Sequence, residues 1–425
     1  VKACPGCGRL HPNEAGFCPA DGQGLLPADQ VPIQTGDDKR LGQVVAGRYQ
    51  VRRVVADGGM GRVYEALDTR DDRRVALKML HSDVANDTVA VTRFKREFQV
   101  SSQLPHQHII EVYDFQQDSG TYALVMEFLE GEELRTTLQR EKTVSPGRAV
   151  RMVSQIAVGL DAAHTSKFVH RDLKPDNIFL CGTREGDRVK ILDFGSVKDK
   201  SEGAKKLTML GTTIGSPYYM APEQAQGLDT LDHRADVWAV AAIVYESLLG
   251  TVPFAGNNGP TILLNIMTKD PVPPSEAGAK IGKQIPPLFD EVVEEAFVKN
   301  PTGRIGSVGE LADRVGKAFG LEGDFRQWAL VPQQELDDKI SAALPGLMQA
   351  RVQASVVGDP FASPGQGMTM QSAKSAMDDA FRQNNPQVDV LDTLPVHKGP
   401  PVALLVGVGA LFLLLGGAAV ALMLK

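Results

Sequence analysis

The run His170-Arg171-Asp172-Leu173-Lys174-Pro175-Asp176-Asn177 decides how this 425-residue chain is read. Asp, Asn and Pro all favour turns, so the run taken alone could be an ordinary polar loop. The next segment supplies a chemistry. A strand-like Val189-Lys190-Ile191-Leu192 leads into Asp193-Phe194-Gly195, which offers a second carboxylate. Phosphoryl transfer to a hydroxyl needs a carboxylate beside the attacking oxygen and a divalent metal beside the phosphates. Asp172 suits the first role, accepting the hydroxyl proton and orienting the nucleophile. Asn177 and Asp193 suit the second, as oxygen ligands of Mg²⁺ or Mn²⁺.

Upstream, Ala56-Asp57-Gly58-Gly59-Met60-Gly61-Arg62-Val63 lies between two expected strands. Glycines there let backbone N–H groups approach phosphate oxygens with no side chain in the way. Val75-Ala76-Leu77-Lys78 comes next, and Glu97 lies further on in the helical pattern Phe94-Lys95-Arg96-Glu97-Phe98. A lysine that grips phosphates needs an anion to hold it, which gives Glu97 a reason to face inward. Any one of these three is weak evidence; in this order they point to one nucleotide site.

The order of elements gives the fold class. Strands are expected at 49–55, 63–67, 75–80, 110–115 and 122–128, with a helix at 92–104. From about residue 132 helical patterns dominate, as at 145–164 and 236–249. Strands followed by helices predict an α+β protein with two lobes of different class, not an alternating sheet.

Residues 42–320 resemble the eukaryotic-like protein kinases of bacteria, with the motifs in family order. The resemblance implies a β-rich N-lobe, a helical C-lobe, ATP as phosphoryl donor and protein substrates with Ser or Thr acceptors. It implies that Lys78 contacts the α- and β-phosphates, paired with Glu97, under the loop from Ala56 to Val63. Val63 would pack over the adenine, with Met126 as gatekeeper and Glu127 and Leu129 presenting hinge backbone groups. Lys174 matches the serine/threonine branch. Glu223 of Ala221-Pro222-Glu223 would pair with Arg304, and Asp236 would brace the catalytic loop. Arg171 would hold a phosphorylated activation loop, with Thr208, Thr212 and Thr213 as candidate autophosphorylation sites. Two positions depart from the family pattern. Ala56 replaces a glycine, costing on the order of 1 kcal/mol if φ must be positive, and Ser216 replaces a threonine.

The ends of the chain add two features. Three of the four cysteines, Cys4, Cys7 and Cys18, fall in residues 1–27, while Cys181 sits on a strand expected after the catalytic loop as a core residue. The C-x-x-C spacing and the second knuckle resemble a zinc ribbon with Asp21 at the usual fourth cysteine; His11 is the alternative ligand. A chain this short has little core, so an ordered module there needs a structural Zn²⁺. At the other end, residues 402–424 carry no charged side chain. As a helix they span ~34 Å, against about 30 Å of bilayer core. A tail-anchored protein without an extracellular sensor is expected, in the inner membrane, its kinase domain cytoplasmic because ATP is there. Residues 28–41 and 321–400 read as linkers, the second partly disordered.

The net charge of −7, from 45 basic and 52 acidic residues, argues against a nucleic-acid binder. The zinc module is therefore expected to meet a protein partner. A pseudokinase scaffold is the rival class. Lys78, Glu97, Asp172, Asn177 and Asp193 are all present against it, and only Ala56 speaks for it. An adaptor led by the zinc module is the third reading.

Overall fold

The computed structural model describes residues 1–31, 38–118, 120–196, 217–228 and 230–357, within one compact unit, Val1–Gly358. Thr208, Thr212, Thr213, Ser216 and the expected membrane span at 402–424 lie outside the described residues. Among the described residues no helix is long and apolar enough to cross a membrane.

Strands β1 (Lys2–Ala3), β2 (Leu10–His11) and β3 (Leu26–Pro27) form a small N-terminal sheet in the order β2-β1-β3. Next come β4 (Val44–Val45), β5 (Tyr49–Asp57), β6 (Gly61–Asp68) and β7 (Arg73–Leu80). Helix α1 (Thr88–Ser101) then precedes β8 (Val112–Asp118) and β9 (Thr121–Glu127). These strands make one six-stranded sheet, ordered β4-β5-β6-β7-β9-β8. Alternation along β6 and β7 buries Tyr64, Ala66, Val75, Leu77 and Met79 in the lobe's core, as period-two patterning requires. Asp87 caps α1 by accepting from the Val89 N–H. The helix stops at Ser101, earlier than expected, because the chain approaching Pro105 is biased away from helical geometry.

The second lobe opens with β10 (Glu132–Glu133), α2 (Leu134–Glu141) and α3 (Pro146–Thr165). Strands β11 (Ile178–Thr183) and β12 (Gly186–Ile191) complete a three-stranded sheet with β10. Helices α4 (Pro222–Ala225), α5 (Arg234–Leu249), α6 (Gly259–Thr268), α7 (Pro274–Lys280), α8 (Leu288–Ala296) and α9 (Val308–Ala318) come after them. Every residue of α5 from Ala235 to Leu249 is buried, as befits a helix apolar on all sides. Gly250, at φ 72°, closes it in the left-handed conformation that favours glycine.

Two boundaries differ from expectation. Residues past 320 are not linker at first: they form α10 (Phe325–Trp328) and α11 (Gln333–Val357). Leu321, Phe325, Trp328, Leu336 and Ile340 are buried in the C-lobe core. Their apolar side chains are spread over the turn after α9, the four-residue α10 and the start of α11, so no single helical period exposes them. Asp337 of α11 accepts from Gly147 N–H at 2.7 Å and Ser145 Oγ at 2.8 Å, at the start of α3. At the other end, residues 28–31 belong to the N-terminal module. Ala28 and Val31 share its core with Ala3, Leu10 and Leu67.

Candidate active site

The cleft-side face of the N-lobe sheet brings the first group together. Lys78, on β7, donates to both carboxylate oxygens of Glu97 on α1, at 2.8 and 3.0 Å. Its ammonium also lies 3.7 Å from Asp193. Burial works against this ammonium, but Asp193 and Glu97 outweigh it and hold Lys78 above its ordinary range. Burial raises the Glu97 carboxyl against the pull of Lys78. The two bonds from one ammonium to both Glu97 oxygens match the geometry of an ammonium–carboxylate pair.

Asp172 and its neighbours form the second group. Lys174 Nζ donates to Asp172 Oδ2 at 2.8 Å. Asn177 Nδ2 donates to the Asp172 carbonyl at 2.7 Å, which leaves its amide oxygen for another partner. Beneath them, Asp236 accepts from the N–H groups of His170 (2.9 Å) and Arg171 (2.8 Å), and lies 2.8 Å from His164 Nε2. Burial alone would raise the Asp236 carboxyl; the bond from His164 and the nearby imidazoles and amide hold it below the usual range. Phe194 is fully buried and packs edge-on against the His170 ring at 4.7 Å. Asp193 is likewise raised by burial and pulled below the carboxylate range by Lys78, then His170.

Backbone strain marks the same place. Arg171 and Asp193 are non-glycine residues at φ 67° and 60°. Such geometry costs of order 1–3 kcal/mol and persists where surrounding structure over-determines it. Ala56 carries no such strain: it lies inside β5, paired with Val63, and is absent from the positive-φ residues. The expected penalty at Ala56 does not arise. Gly61 is the position that must be glycine, since a Cβ there would sit 2.3 Å from the Met79 carbonyl oxygen.

Met126 and Glu127 end β9, opposite Ala76 and Val75, and the Leu129 N–H makes no hydrogen bond among the described residues. Glu223 pairs with Arg304 through two bonds, at 2.8 and 3.0 Å, both buried. Cys181 is buried on β11.

These motifs have known counterparts. The model of the protein kinase domain family matches residues 49–314. The chain belongs to the protein kinase family. It is 33% identical over 345 residues to serine/threonine-protein kinase pkn3 of Myxococcus xanthus, across 80% of this chain and 62% of that protein. It is 36% identical over 329 residues to PknA of Mycobacterium tuberculosis, across 76% of this chain and 73% of that protein. The solved kinase domain of Mycobacterium tuberculosis PknI superposes with a TM-score of 0.51 at 28% identity, over 65% of this chain and 98% of that domain. The kinase fold is therefore bilobal and the domain is of the serine/threonine type.

Several residues around the site escape sequence reading. His164 braces Asp236 from the last turn of α3, and Gln224 Nε2 donates to the Arg171 carbonyl at 2.8 Å. His81 lies 2.9 Å from the Gly58 carbonyl and 3.2 Å from Asp57 at the edge of the glycine-rich loop. Arg62 bonds Asp57 at 2.9 Å and Asp38 at 2.7 Å. Charged side chains in strands and loops look like solvated surface until their partners are known.

The N-terminal cluster is the remaining candidate. Donor atoms of Cys4, Cys7, Cys18 and Asp21 all lie within 4.8 Å of one another. Cys7 Sγ and Cys18 Sγ are 3.6 Å apart, and Cys4 Sγ is 3.1 Å from Asp21 Oδ2. Burial, then the hydrogen bond to Asp21, pushes the Cys4 thiol up to about 12. His11, the alternative fourth ligand, is buried on β2 outside this cluster.

Proposed function

We propose that the chain transfers the γ-phosphoryl group of ATP to Ser and Thr hydroxyls of proteins, with Asp172 as the base. The observation that carries this is the convergence, around one cleft, of the bidentate Lys78–Glu97 pair, Asp193 and the Lys174–Asp172 pair. Lys78 orients the α- and β-phosphates. Asp172 accepts the hydroxyl proton, while Lys174 sits beside it to offset charge on the transferred group. Asn177 and Asp193 suit Mg²⁺ by donor chemistry, an amide oxygen and a carboxylate kept ionised. The metal, when bound, supplies neutralising charge at the phosphates. Residues 56–61, with Val63, Met126, Glu127 and Leu129, enclose the nucleotide. Labelled-ATP autophosphorylation is the test: Asp172→Asn and Lys78→Met are each expected to lose ~10²-fold or more. Equal labelling in all three proteins defeats the reading.

Activation-loop autophosphorylation is part of this proposal. Arg171 donates through Nη2 to the Leu231 carbonyl at 3.2 Å, while its buried Nε and Nη1 have no partner among the described residues. A phosphate on Thr208, Thr212 or Thr213 supplies the acceptors such a guanidinium lacks. Phosphopeptide mapping of active protein that finds no phosphate between Asp193 and Glu223 excludes it.

The cysteine cluster supports Zn²⁺. Tetrahedral Zn²⁺ with Zn–S of ~2.3 Å and Zn–O of ~2.0 Å sets ligand atoms ~3.5–3.8 Å apart, close to the separations seen here. Zinc in purified protein by elemental analysis is the expected result. The scarcity of basic residues in the module favours a protein partner for its outer face. The apolar stretch 402–424 supports a membrane-spanning helix, with the kinase domain on the cytoplasmic side; resistance to alkaline carbonate washing is expected.

A further inference from the structure

β6 and β7 pair without interruption, from Gly61 opposite Leu80 to Asp68 opposite Arg73. Side chains alternate between the faces of such a ladder. Val63, Glu65 and Leu67 therefore share one face with Lys78, Ala76 and Arg74. The other face is the lobe's own core. Three rows thus succeed one another on the near face, about 7 Å apart. Val63 and Lys78 form the nucleotide row, Glu65 and Ala76 the next, and Leu67 and Arg74 the last. That last row is where the cysteine module sits.

The seat is specific. Leu67 is buried with Ala3, Leu10, Ala28 and Val31. Arg52 donates to the carbonyls of Ala28 (2.7 Å) and Val31 (3.2 Å). Glu65, fully buried, accepts from the Leu10 N–H at 2.8 Å and pairs with Arg53. Arg74 donates to the Leu10 carbonyl, bridges Glu130 at 2.5 Å and stacks over Phe128 at 4.4 Å. Leu10 is thereby gripped at both its N–H and its carbonyl. It comes directly after the turn that carries Cys4 and Cys7, where the Cys4 N–H donates to the Arg9 carbonyl at 2.9 Å.

We propose that this seat couples two sites: metal in the module raises nucleotide affinity, and nucleotide raises metal affinity by the same factor. The proposal rests on the zinc and ATP readings of the two sites. A metal fixes the turn from Cys4 to Cys7, the turn fixes Leu10, and Leu10 fixes Glu65 and Arg74. Glu65 borders the nucleotide row, and Arg74 holds Phe128 and Glu130, which flank the hinge residue Leu129. Without metal the turn loosens. The buried Glu65 carboxylate then loses its amide donor, a costly state that relaxes only if β6, β7 and the hinge edge shift to admit water.

The test is a titration of the full chain, in detergent, with N-methylanthraniloyl-ADP and Mg²⁺. It is run before and after zinc removal by a zinc-selective chelator that leaves Mg²⁺ in place. Zinc-free protein is expected to bind the fluorescent ADP about fivefold more weakly or worse, with recovery on adding Zn²⁺. In the reciprocal arm, saturating ADP is expected to tighten Zn²⁺ binding by the same factor, read by competition with a zinc-binding dye. Glu65→Gln keeps every metal ligand. It is expected to retain stoichiometric zinc while the loaded and zinc-free forms converge to within about twofold. Equal ADP affinity with and without zinc in the unaltered chain, zinc being present by elemental analysis, overturns the coupling and leaves the zinc site standing. A chain that takes up no zinc overturns both, and one that takes up zinc but binds no ADP overturns the ATP reading. The unaltered chain decides alone if Glu65→Gln does not fold.

Discussion

The catalytic loop and the glycine-rich loop face one cleft and are held by opposite means. Behind the catalytic loop stands Asp236, fully buried, with hydrogen bonds from two backbone N–H groups and a histidine beside it. The glycine-rich loop is held at its rim by Asp57, 46% exposed, with Arg62 and His81 each 31% exposed. Exposed ion pairs contribute about 0–1 kcal/mol and are screened by salt, whereas breaking a buried pair costs about 3–5 kcal/mol. A base must stay in one position relative to its nucleophile. A loop that covers a nucleotide has to open for exchange, and weak surface restraints permit that.

The largest expected effect lies on the buried side. Asp236→Ala strands two N–H groups and His164, and is expected to lower unfolding free energy by about 3–5 kcal/mol in urea titrations. A loss as small as that of a surface change would dissolve the contrast. The buried frame also sets a pH dependence. His108 spans the lobes: its carbonyl accepts from Ile191 N–H at 2.8 Å, and its Nδ1 lies 3.0 Å from the Val189 carbonyl. Burial lowers this imidazole to about 4. The folded protein then binds a proton less readily than the unfolded chain, whose histidine titrates near ~6.5. The contribution is therefore complete above ~6.5 and is lost as pH falls towards 4, by about 3 kcal/mol in all. His108→Gln is expected to flatten that part of the stability–pH curve, and an unchanged slope would assign it elsewhere.

On the glycine-rich side the effects are smaller. Gly61→Ala presses a methyl group against the Met79 carbonyl and is expected to cost about 1–3 kcal/mol in thermal unfolding, as overpacking does. His81→Gln and Arg62→Ala are expected to change stability by less than about 1 kcal/mol. Arg62→Ala should nevertheless raise KM for ATP about two- to fivefold at low salt, an effect that fades at high salt. A salt-independent KM would mean that the rim is held by packing, not charge.

Legibility in the sequence divides along the same line. Asp172, Asn177 and Asp193 stand out in the sequence because phosphoryl transfer confines their types and spacing to short runs; the structure adds the Asn177 Nδ2 bond to the Asp172 carbonyl and sets Asp193 beside Lys78. Lys78 and Glu97 needed the order of motifs, and the structure joins them by two hydrogen bonds. Glu65, Arg74 and His81 were not readable. Each is a polar residue whose partner lies far away in sequence, and period-two alternation cannot separate a solvated face from one covered by another module. At Ala56 the penalty depended on a positive φ that the structure does not have: a motif implies a residue type, not the backbone angle behind it. The extent of the C-lobe failed too, because Phe325 and Trp328 lie in a segment too short and too mixed for a helical period to show.

The ring of Trp328 lies so close to Gly316 that a Cβ on that glycine would fall 2.1 Å from it. The match to the kinase-domain family model ends at residue 314, two positions short of this slot and well before its occupant. Recombinant fragments trimmed to the recognised domain would thus lose the end of α9, bare Gly309 where Phe325 packs, and leave the Gly147 N–H at the start of α3 without Asp337. Such fragments are expected to aggregate, while ones ending beyond Ile340 stay monodisperse. Here the recognised domain is shorter than the unit of folding.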